Sequence, residues 1–544
     1  MNLIVNTIFL FTALSFITFG VIGYGILFSK LFYFEKKKYF NASYYAIFGL
    51  VFLVFISYYT NLIIAHSEIF NFLLFIIGVF FYIFCNFNEK LNLTKNVFLL
   101  ILIYFSFILI SKNHDDFFYY HLSSTLNIVE NKLQFGLGNL KLGYRHHSSI
   151  IHLMSLTYFP VINFYLVNSI NFVVFIFTSL ILYENIKKYL NKNNLITFFC
   201  LLFFILINIK FKRLSEYGTD LSAQLLIIIL FLNLIKFFLE KKNKEENLFI
   251  IFSSLILILS IKISYVLYSF FIFVILVIYE RKRLIKFILN NIKFIIFSIL
   301  FLLAFLFQNF ANNGCLLYPI SQSCFFYDLE WTLKQNELNE MKIFLELWAK
   351  SGANPHFTVT NQIEYIKNFA WLKNWFSNYF LFKVSDYIIL NFSIIILIIL
   401  FFKKNIYFDK NFKNKKYLLN FFLIIIPIAL IWFFKHPSLR YGGYIIFSLF
   451  IFFSFFLFFG FISTNAETLK KKLGILIILS ITYFNISNIH RINKEINSQY
   501  IFKYSNFPFF SLDVNLLHKD RLRLLNSKHK IIDNYLFYLN DKNN

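Results

Sequence analysis

The chain has 544 residues, of which 59% are hydrophobic and 15% charged, and its mean hydropathy is +0.66. This composition excludes a soluble globular domain and requires many segments that are buried or in contact with lipid. The net charge of +25 does not indicate nucleic acid as a partner. The basic residues stand mostly in short runs between apolar segments, where they orient a membrane protein and meet anionic lipid. We therefore expect an all-α, polytopic membrane protein.

Apolar segments follow one another along the chain and predict about fourteen membrane spans. Several are shorter than the ~20 residues that a perpendicular helix needs, so their boundaries are approximate. The segments are Leu3–Phe28, Tyr44–Ala65, Ile69–Phe84, Val97–Ile110, Val161–Tyr183, Leu195–Ile209, Leu221–Leu239, Leu248–Leu259, Ile263–Tyr279, Ile292–Phe310, Tyr387–Phe402, Leu418–Phe434, Tyr444–Ile462 and Leu473–Ile486.

Runs of Lys and Arg fall at every second connection between these segments, which is typical of cytoplasmic loops. The alternation holds only if the stretch Leu248–Tyr279 is two short helices broken near Lys262. We expect the break, because an intramembrane Lys is best placed where the backbone leaves the helix and lines a polar cavity. The connections that this topology assigns to the outer, non-cytoplasmic face are 111–160, 210–220, 311–386, 435–443 and the tail 488–544.

The first large outer segment opens with two adjacent carboxylates, Asp115 and Asp116, followed by aromatic residues and His121. Carboxylates at the edge of a span are costly, and three roles suit them there: general base towards a hydroxyl, metal ligand, or counter-ion to a cation. Alternatively, the pair caps the amphipathic surface helix that the apolar spacing predicts over Ser123–Gln134. We favour a functional role for Asp116 over Asp115.

A glycine-containing turn at Phe135–Leu140 follows this helix, and Arg145 comes directly after it. Two surface helices flanking such a turn are expected to bring Asp116 and Arg145 close to one cavity. His114, Asp115 and His121 could together hold a divalent metal, but their spacing matches no fixed ligand pattern. No metal site is therefore predicted, and no cofactor is indicated.

Further cations occur in the other outer connections and are candidate ligands for an anion such as phosphate. Arg213 stands in a loop with three cations, and Asp220 then begins the next span as a buried acidic partner. The alternatives are that this loop is cytoplasmic and that Lys262 only extends towards the membrane interface. Arg440 is the strongest candidate, because it precedes two glycines and a guanidinium beside flexible backbone can hold phosphate with two hydrogen bonds.

The long outer connection contains Cys315 and Cys324, whose spacing permits a disulfide, and two predicted helices at Glu337–Ala349 and Ile363–Phe376. The second helix is rich in Trp and Tyr, which suits the membrane interface. We expect this connection to be a lid over the cavity rather than a solvated spacer.

Together, these features resemble the GT-C superfamily of integral-membrane glycosyltransferases. These enzymes combine a multi-span bundle, an acidic motif in the first large outer loop and a late outer loop with an Arg. A closer resemblance is to a largely uncharacterised bacterial group within that pattern. The motifs that carry it are Asp116–His121, Gly136–Leu140, Thr219–Asp220, Gly314–Pro319 with Trp331, and Pro437–Tyr441.

The resemblance implies that Asp116 or Asp115 is the acceptor base or a metal ligand, and that Arg440 contacts the phosphate of a polyprenyl carrier. From the outer loops we expect Arg213, Lys262 and Arg145 as further cations. His121 and Asp220 complete the expected substrate-binding set. The implied activity is transfer of a sugar from a lipid-linked donor to a hydroxyl acceptor on a glycan, lipid or protein. It would take place at the outer face of a bacterial inner membrane, in the synthesis of surface polysaccharide or glycoconjugate.

The acidic loop follows the fourth span here, whereas the usual arrangement has it after the first. We accordingly expect three domains, which are amino-terminal extra spans over 1–95, a GT-C-like core over 96–487 with outer loops 111–160 and 311–386, and a tail over 488–544. Two other functions remain open. An O-antigen polymerase or ligase would depend more on Arg and His than on an early acidic pair. A transporter or flippase of lipid-linked glycans would need polar sites at the bilayer midplane and related halves.

Overall fold

The architecture comes from a computed structural model and is almost entirely helical. Its helices are joined by short turns and by a few longer connections that carry additional short helices. The residues that the structure describes are 3–33, 40, 42–89, 94–109, 116–190, 192–216, 219–240, 242–325, 329–354, 356–403, 406–408, 415–459, 461–463, 466–498, 502–503, 511–512 and 526–540.

The α-helices follow the apolar segments of the sequence, and shorter helices lie in the connections. They are α1 Leu3–Phe32, α2 Tyr45–Asn61, α3 Glu68–Glu89, α4 Thr94–Ile103, α5 Leu122–Glu130, α6 Ser149–Leu156, α7 Ser169–Tyr189, α8 Asn194–Lys210, α9 Asp220–Leu239, α10 Lys244–Ile261, α11 Val266–Asn290, α12 Ile292–Asn313, α13 Gln335–Lys350, α14 Gln362–Lys367, α15 Trp371–Trp375, α16 Ser385–Phe402, α17 Lys415–Lys435, α18 Gly443–Phe459 and α19 Ala466–Ser498.

Ten helical segments of the described chain are long and apolar enough to cross a membrane, which makes the chain a multi-pass integral membrane protein. The expected fourteen spans are therefore too many. Helices α2 and α18 are apolar but have only 17 residues each, and α4 has 10. At 1.5 Å per residue such helices are shorter than the ~30 Å hydrocarbon layer. Helix α10 has 18 residues, but Lys244, Glu245 and Glu246 occupy its first turn.

Helix α9 is the centre of the bundle. Every residue of its apolar window is buried by neighbouring helices, whereas only about a third or less of the window is buried in peripheral helices such as α3, α11 and α16. A helix that is apolar on all sides can be enclosed in this way without leaving a polar face unsolvated. Asp220, the first residue of α9, is consequently held at the end of the most enclosed helix.

The break predicted near Lys262 is present. Helix α10 ends at Ile261, Lys262 has the extended conformation (φ −155°, ψ 125°), and a 3-10 turn at Ile263–Tyr265 leads into α11. Because the chain reverses there, Lys262 lies at the end of the bundle where α9 begins. One hydrophobic cluster extends from Leu10 to Phe484, so the helices of segment 1–95 share their packing with the rest of the bundle.

The first outer segment contains a π-helical turn at Phe117–His121 that continues directly into α5, where a surface helix was predicted. The long connection contains α13, α14 and α15, and a disulfide joins Cys315 to Cys324. Helix α13 confirms the helix predicted over Glu337–Ala349, and α14 and α15 divide the one predicted over Ile363–Phe376.

Three small two-stranded antiparallel sheets complete the described structure. They are β1 Ile406–Phe408 with β2 Phe461–Ser463, β3 Phe502–Lys503 with β4 Ser511–Leu512, and β5 His529–Ile532 with β6 Tyr535–Tyr538. The third pair is a hairpin that packs against the first outer segment, because Phe135 exchanges backbone hydrogen bonds of 2.9 Å with Leu536 and Tyr538. The Tyr535 hydroxyl donates to the Leu62 carbonyl at 2.8 Å.

Candidate functional site

Four charged side chains from distant parts of the sequence form one network at the end of the bundle where α9 begins. Arg440 Nη2 lies 2.6 Å from Asp116 Oδ2, and Arg440 Nε lies 2.7 Å from Asp220 Oδ2. Lys262 Nζ lies 2.6 Å from Asp220 Oδ1. Two cations and two carboxylates therefore balance each other. We refer to Asp116, Asp220, Lys262 and Arg440 as the charged network.

Asp220 is the centre of this network, because each of its two oxygens holds a different cation. Its side chain is 3% exposed, and its position at the first turn of α9 places the carboxylate at the positive end of the helix dipole. Burial of a carboxylate is favourable only when its charge and its hydrogen-bonding capacity are satisfied. Lys262 and Arg440 satisfy both.

The loop that carries Arg440 is held by buried side chains of neighbouring helices. Gln224 Nε2, one helical turn after Asp220, donates to the Arg440 carbonyl at 2.9 Å. Trp375 Nε1 donates to the Pro437 carbonyl at 2.7 Å, and the Tyr379 hydroxyl accepts from the Leu439 backbone N–H at 2.9 Å. Hydrogen bonds to these backbone groups therefore hold the loop in one conformation, and the Arg440 guanidinium is preorganised for binding.

Gly442 follows this loop with φ +101°, a conformation that favours glycine, and lets the chain turn into α18. Asp116 approaches from the opposite direction, at the start of the π-helical turn Phe117–His121. Its side chain is 24% exposed and that of Arg440 is 23% exposed. The contact between Asp116 and Arg440 is consequently the open edge of the network, and Asp220 is its closed interior.

The charges of the network shift the pKa values of its members and neighbours. Burial alone would lower the pKa of Arg440, but Asp220 and Asp116 raise it well above its ordinary value. Burial lowers the pKa of Lys262, and Asp220 opposes that effect. Burial raises the pKa of the Tyr441 hydroxyl, over whose ring Lys262 Nζ lies at 4.3 Å. Arg440 is therefore a permanent cation beside an undissociated phenol.

Arg145, which was expected near one cavity with Asp116, forms its ion pair with Glu337 and not with a member of the charged network. Its Nη2 lies 3.2 Å from Glu337 Oε1, and its Nε donates to the Gly138 carbonyl at 3.0 Å. Asn540 Nδ2 donates to the other oxygen of Glu337 at 3.0 Å. Arg145 is turned to Glu337 because α13 brings a buried carboxylate to it, and the sequence offers no local sign of that contact.

The remaining predicted residues are placed differently from one another. Arg213 is exposed in the 3-10 turn Phe211–Glu216, and among the described residues no ion pair joins it to the charged network. His121 is buried, with its ring 4.2 Å from that of Tyr120. Asp115 lies outside the described residues. The structure thus brings together Asp116, Asp220, Lys262 and Arg440 and leaves Arg145 and Arg213 apart.

The sequence reasoning missed three residues that position the network, which are Gln224, Tyr265 and Tyr441. The Tyr265 hydroxyl donates to the Asp220 carbonyl at 3.4 Å. Gln224 carried a usable signal, since a polar residue four positions after Asp220 lies on the same face of an otherwise apolar helix. The described part of the chain contains no group of three or more His, Cys, Asp and Glu side chains arranged to hold a metal ion.

The chain belongs to a family described as a domain of unknown function (DUF8201), whose model matches residues 7–447. The matched region includes all four members of the charged network and begins within α1, so it extends over the segment 1–95. Neither the curated proteins nor the solved structures contain a match to this chain.

Proposed function

We propose that the protein is a membrane glycosyltransferase of GT-C type that moves a sugar from a polyprenyl-phosphate carrier to a hydroxyl acceptor. The observation that supports this most is the Asp116–Arg440 contact at the open edge of the charged network. It sets a carboxylate and a guanidinium within 2.6 Å of each other at one end of a membrane-spanning bundle. A carboxylate can take a proton from an acceptor hydroxyl, and a guanidinium can hold a phosphate.

In the proposed reaction the donor phosphate replaces Asp116 on Nη2 of Arg440, while Asp220 keeps its hold on Nε. Asp220 is suited to remain, since it is enclosed and also bound to Lys262. Asp116 is suited to leave, since about a quarter of its side chain is exposed. Binding of the donor would therefore free Asp116 to act as the base.

The acceptor oxygen then attacks the anomeric carbon, and the bond from that carbon to the phosphate oxygen breaks. The electron pair of that bond stays on the phosphate, where Arg440 and Lys262 stabilise the negative charge. The acceptor proton passes to Asp116. A single displacement of this kind inverts the configuration at the sugar. We place the reaction at the outer face of a bacterial inner membrane, with a growing surface glycan or glycoconjugate as the acceptor.

The test uses the full chain in lipid nanodiscs with a panel of radiolabelled polyprenyl-phosphate hexoses and a glycan acceptor mixture. We expect the wild type to release the carrier phosphate and Asp116→Asn to lose about 10²-fold or more in turnover. Asp386→Asn is the matched control, because Asp386 is exposed at the start of α16 and lies in no ion pair of the described residues. Full turnover in Asp116→Asn would remove Asp116 from the role of base.

The full chain reconstituted in sealed proteoliposomes distinguishes a transferase from a transporter of lipid-linked glycans. Transbilayer movement of the donor without cleavage of the sugar–phosphate bond would replace the transferase proposal. The polymerase and ligase alternatives share the donor chemistry. They would be recognised by an acceptor that is itself carrier-linked or that is a lipid core.

A further inference from the structure

Tyr441 directly follows Arg440, and its ring is held by three neighbours. Lys262 Nζ lies 4.3 Å from the centre of the ring. The rings of Trp348 and His436 contact it edge to face, with centroids 5.5 Å and 5.7 Å away. These neighbours come from three different elements of the chain. The ring therefore has little freedom to move, and its hydroxyl has a defined position beside the charged network.

The hydroxyl of Tyr441 forms no hydrogen bond with any residue that the structure describes. A tyrosine hydroxyl in a largely enclosed position usually has a partner. Two other tyrosines near this loop do have one. Tyr265 donates to a carbonyl of α9 at 3.4 Å, and Tyr379 accepts from the Leu439 backbone N–H at 2.9 Å. Since Tyr441 is only half-buried, a ligand can supply the partner that these parts of the protein do not.

The protonation state of this hydroxyl makes it a donor. Burial raises its pKa, Arg440 lowers it, and the carboxylates Asp220 and Asp116 raise it further, so that the net shift is upward. The phenol is therefore undissociated at neutral pH. The same three charges show that the hydroxyl lies within the electrostatic field of the charged network.

The two cations next to Tyr441 also have N–H groups that no described residue accepts. An ammonium has three such groups, and Lys262 uses one of them, on Asp220. A guanidinium has five, and Arg440 uses two, on Asp220 and Asp116. Lys262, Arg440 and Tyr441 consequently present unused donors next to one another. A phosphate, with several strong acceptor oxygens, suits such a set of donors.

We propose that the Tyr441 hydroxyl donates a hydrogen bond to the phosphate of the bound ligand, as a third donor beside Arg440 and Lys262. This rests on the proposed function, because it takes the donor phosphate as the ligand of Arg440, and it adds a binding residue to that site. The proton stays on the phenol throughout. As the bond to the sugar breaks, negative charge on the phosphate increases and the hydrogen bond becomes stronger, so Tyr441 favours the departing phosphate over the intact donor.

The binding test uses isothermal titration calorimetry on the full chain in a maltoside detergent, which contains no phosphate. The probes are geranyl phosphate, which carries its phosphate on a short prenyl chain, and inorganic phosphate. We expect Tyr441→Phe to bind geranyl phosphate about tenfold more weakly than the wild type does, because it loses a hydrogen bond to a charged group. Unchanged affinity in Tyr441→Phe, or no binding of either probe by the wild type, would overturn the proposal.

The two probes show which part of the ligand the hydroxyl contacts. Weaker binding of both probes to Tyr441→Phe would support a contact with the phosphate group itself. A loss confined to geranyl phosphate would place Tyr441 against the prenyl chain and would contradict the proposal.

Tyr268→Phe is the matched control. The Tyr268 hydroxyl also has no partner among the described residues, but it is enclosed within the bundle on α11. Both substitutions keep the ring and break no hydrogen bond of the described structure, so both variants should have the melting temperature of the wild type. Only Tyr441→Phe should lose affinity. Equal losses of affinity, or a lower melting temperature for Tyr441→Phe alone, would assign the hydroxyl a structural role and refute the proposal.

Turnover separates this proposal from the proposed function. If Tyr441→Phe binds both probes more weakly and the wild type turns over no donor, the role of Tyr441 in phosphate binding stands and the transferase proposal fails. If the wild type turns over a donor and Tyr441→Phe keeps full affinity and turnover, the transferase proposal stands and the role of Tyr441 is refuted.

Discussion

The charged network and the Arg145–Glu337 pair use the same chemical groups but differ in how completely they are enclosed. Arg145 and Glu337 are 8% and 10% exposed, and each has a further hydrogen-bonding partner. In the charged network, Asp220 is enclosed to a similar degree, but Asp116 and Arg440 remain about a quarter exposed. A closed ion pair fixes two segments of chain, whereas a pair with an open edge leaves one partner replaceable by a ligand.

The largest effect is expected from Asp220→Asn. The substitution leaves Arg440 and Lys262 without their shared buried carboxylate, and breaking one buried pair already costs about 3–5 kcal/mol. We predict a loss of at least that size in the free energy of unfolding, measured by thermal or denaturant unfolding in nanodiscs. Asp116→Asn should lower stability by about 1 kcal/mol or less, since its contact is partly solvated. Equal losses in the two variants would contradict the distinction between interior and open edge.

Glu337→Gln tests the closed pair. It leaves the Arg145 guanidinium buried beside a neutral amide, and we expect a loss of about 3 kcal/mol in unfolding free energy. The folded fraction should keep the turnover and donor binding of the wild type. The double variant Arg145→Met/Glu337→Leu should regain part of the stability, because a buried ion pair can be replaced by apolar groups. A selective loss of turnover in the folded protein would instead place Arg145 in the functional site.

The histidines between the two regions predict how stability depends on pH. The folded pKa values of His146 and His147 are lowered to about 4 and about 3, against about 6.5 in the unfolded chain. The unfolded state therefore binds more protons below pH 6.5, and stability falls as the pH is lowered from about 6.5 towards 4. Each such histidine contributes a slope of about 1.4 kcal/mol per pH unit within that window.

His147→Gln should reduce this slope by about 1.4 kcal/mol per pH unit, the contribution of one titrating group. Unfolding curves at pH 7, 6 and 5 measure the slope. An unchanged slope would mean that the folded protein protonates His147 as readily as the unfolded chain does. The same comparison with His146→Gln shows whether the cations of the charged network contribute, because Lys262 lowers the pKa of His146 in addition to burial.

The smallest effect is expected from Arg213→Ala. Arg213 is exposed and lies outside the charged network, so its removal should change unfolding free energy by less than about 0.5 kcal/mol and turnover by less than about twofold. A loss of donor affinity comparable to that of Arg440→Ala would show that the exposed turn also belongs to the site. In that case the open edge would include Arg213 as well as the Asp116–Arg440 contact, and the contrast with the Arg145–Glu337 pair would be weaker.

The helical class of the fold and the common location of the key charges could be predicted from the sequence. Alternating basic loops and the break at Lys262 were sufficient to expect Asp116, Asp220, Lys262 and Arg440 at one end of the bundle, although Asp116 and Arg440 are 324 positions apart. The partners could not be assigned. Arg145 looked equivalent to Arg440 by residue type and loop position, and only the packing of α13 gives it Glu337.

The number of spans was overestimated for a related reason. Hydropathy does not distinguish a helix in contact with lipid from one enclosed by other helices. The short helices α2 and α18 are as apolar as the spans, and most of their residues are buried in one continuous core.

The hairpin of β5 and β6 bears on the order in which the protein is assembled. It follows α19 in the chain, yet it supplies strand partners to Phe135, a hydroxyl to Leu62 and, through Asn540, an amide to Glu337. During synthesis, the first outer segment emerges several hundred residues before these partners exist. The Arg145–Glu337 pair would thus reach its final form only after α19 has been inserted, and docking of the hairpin would be the last step of assembly.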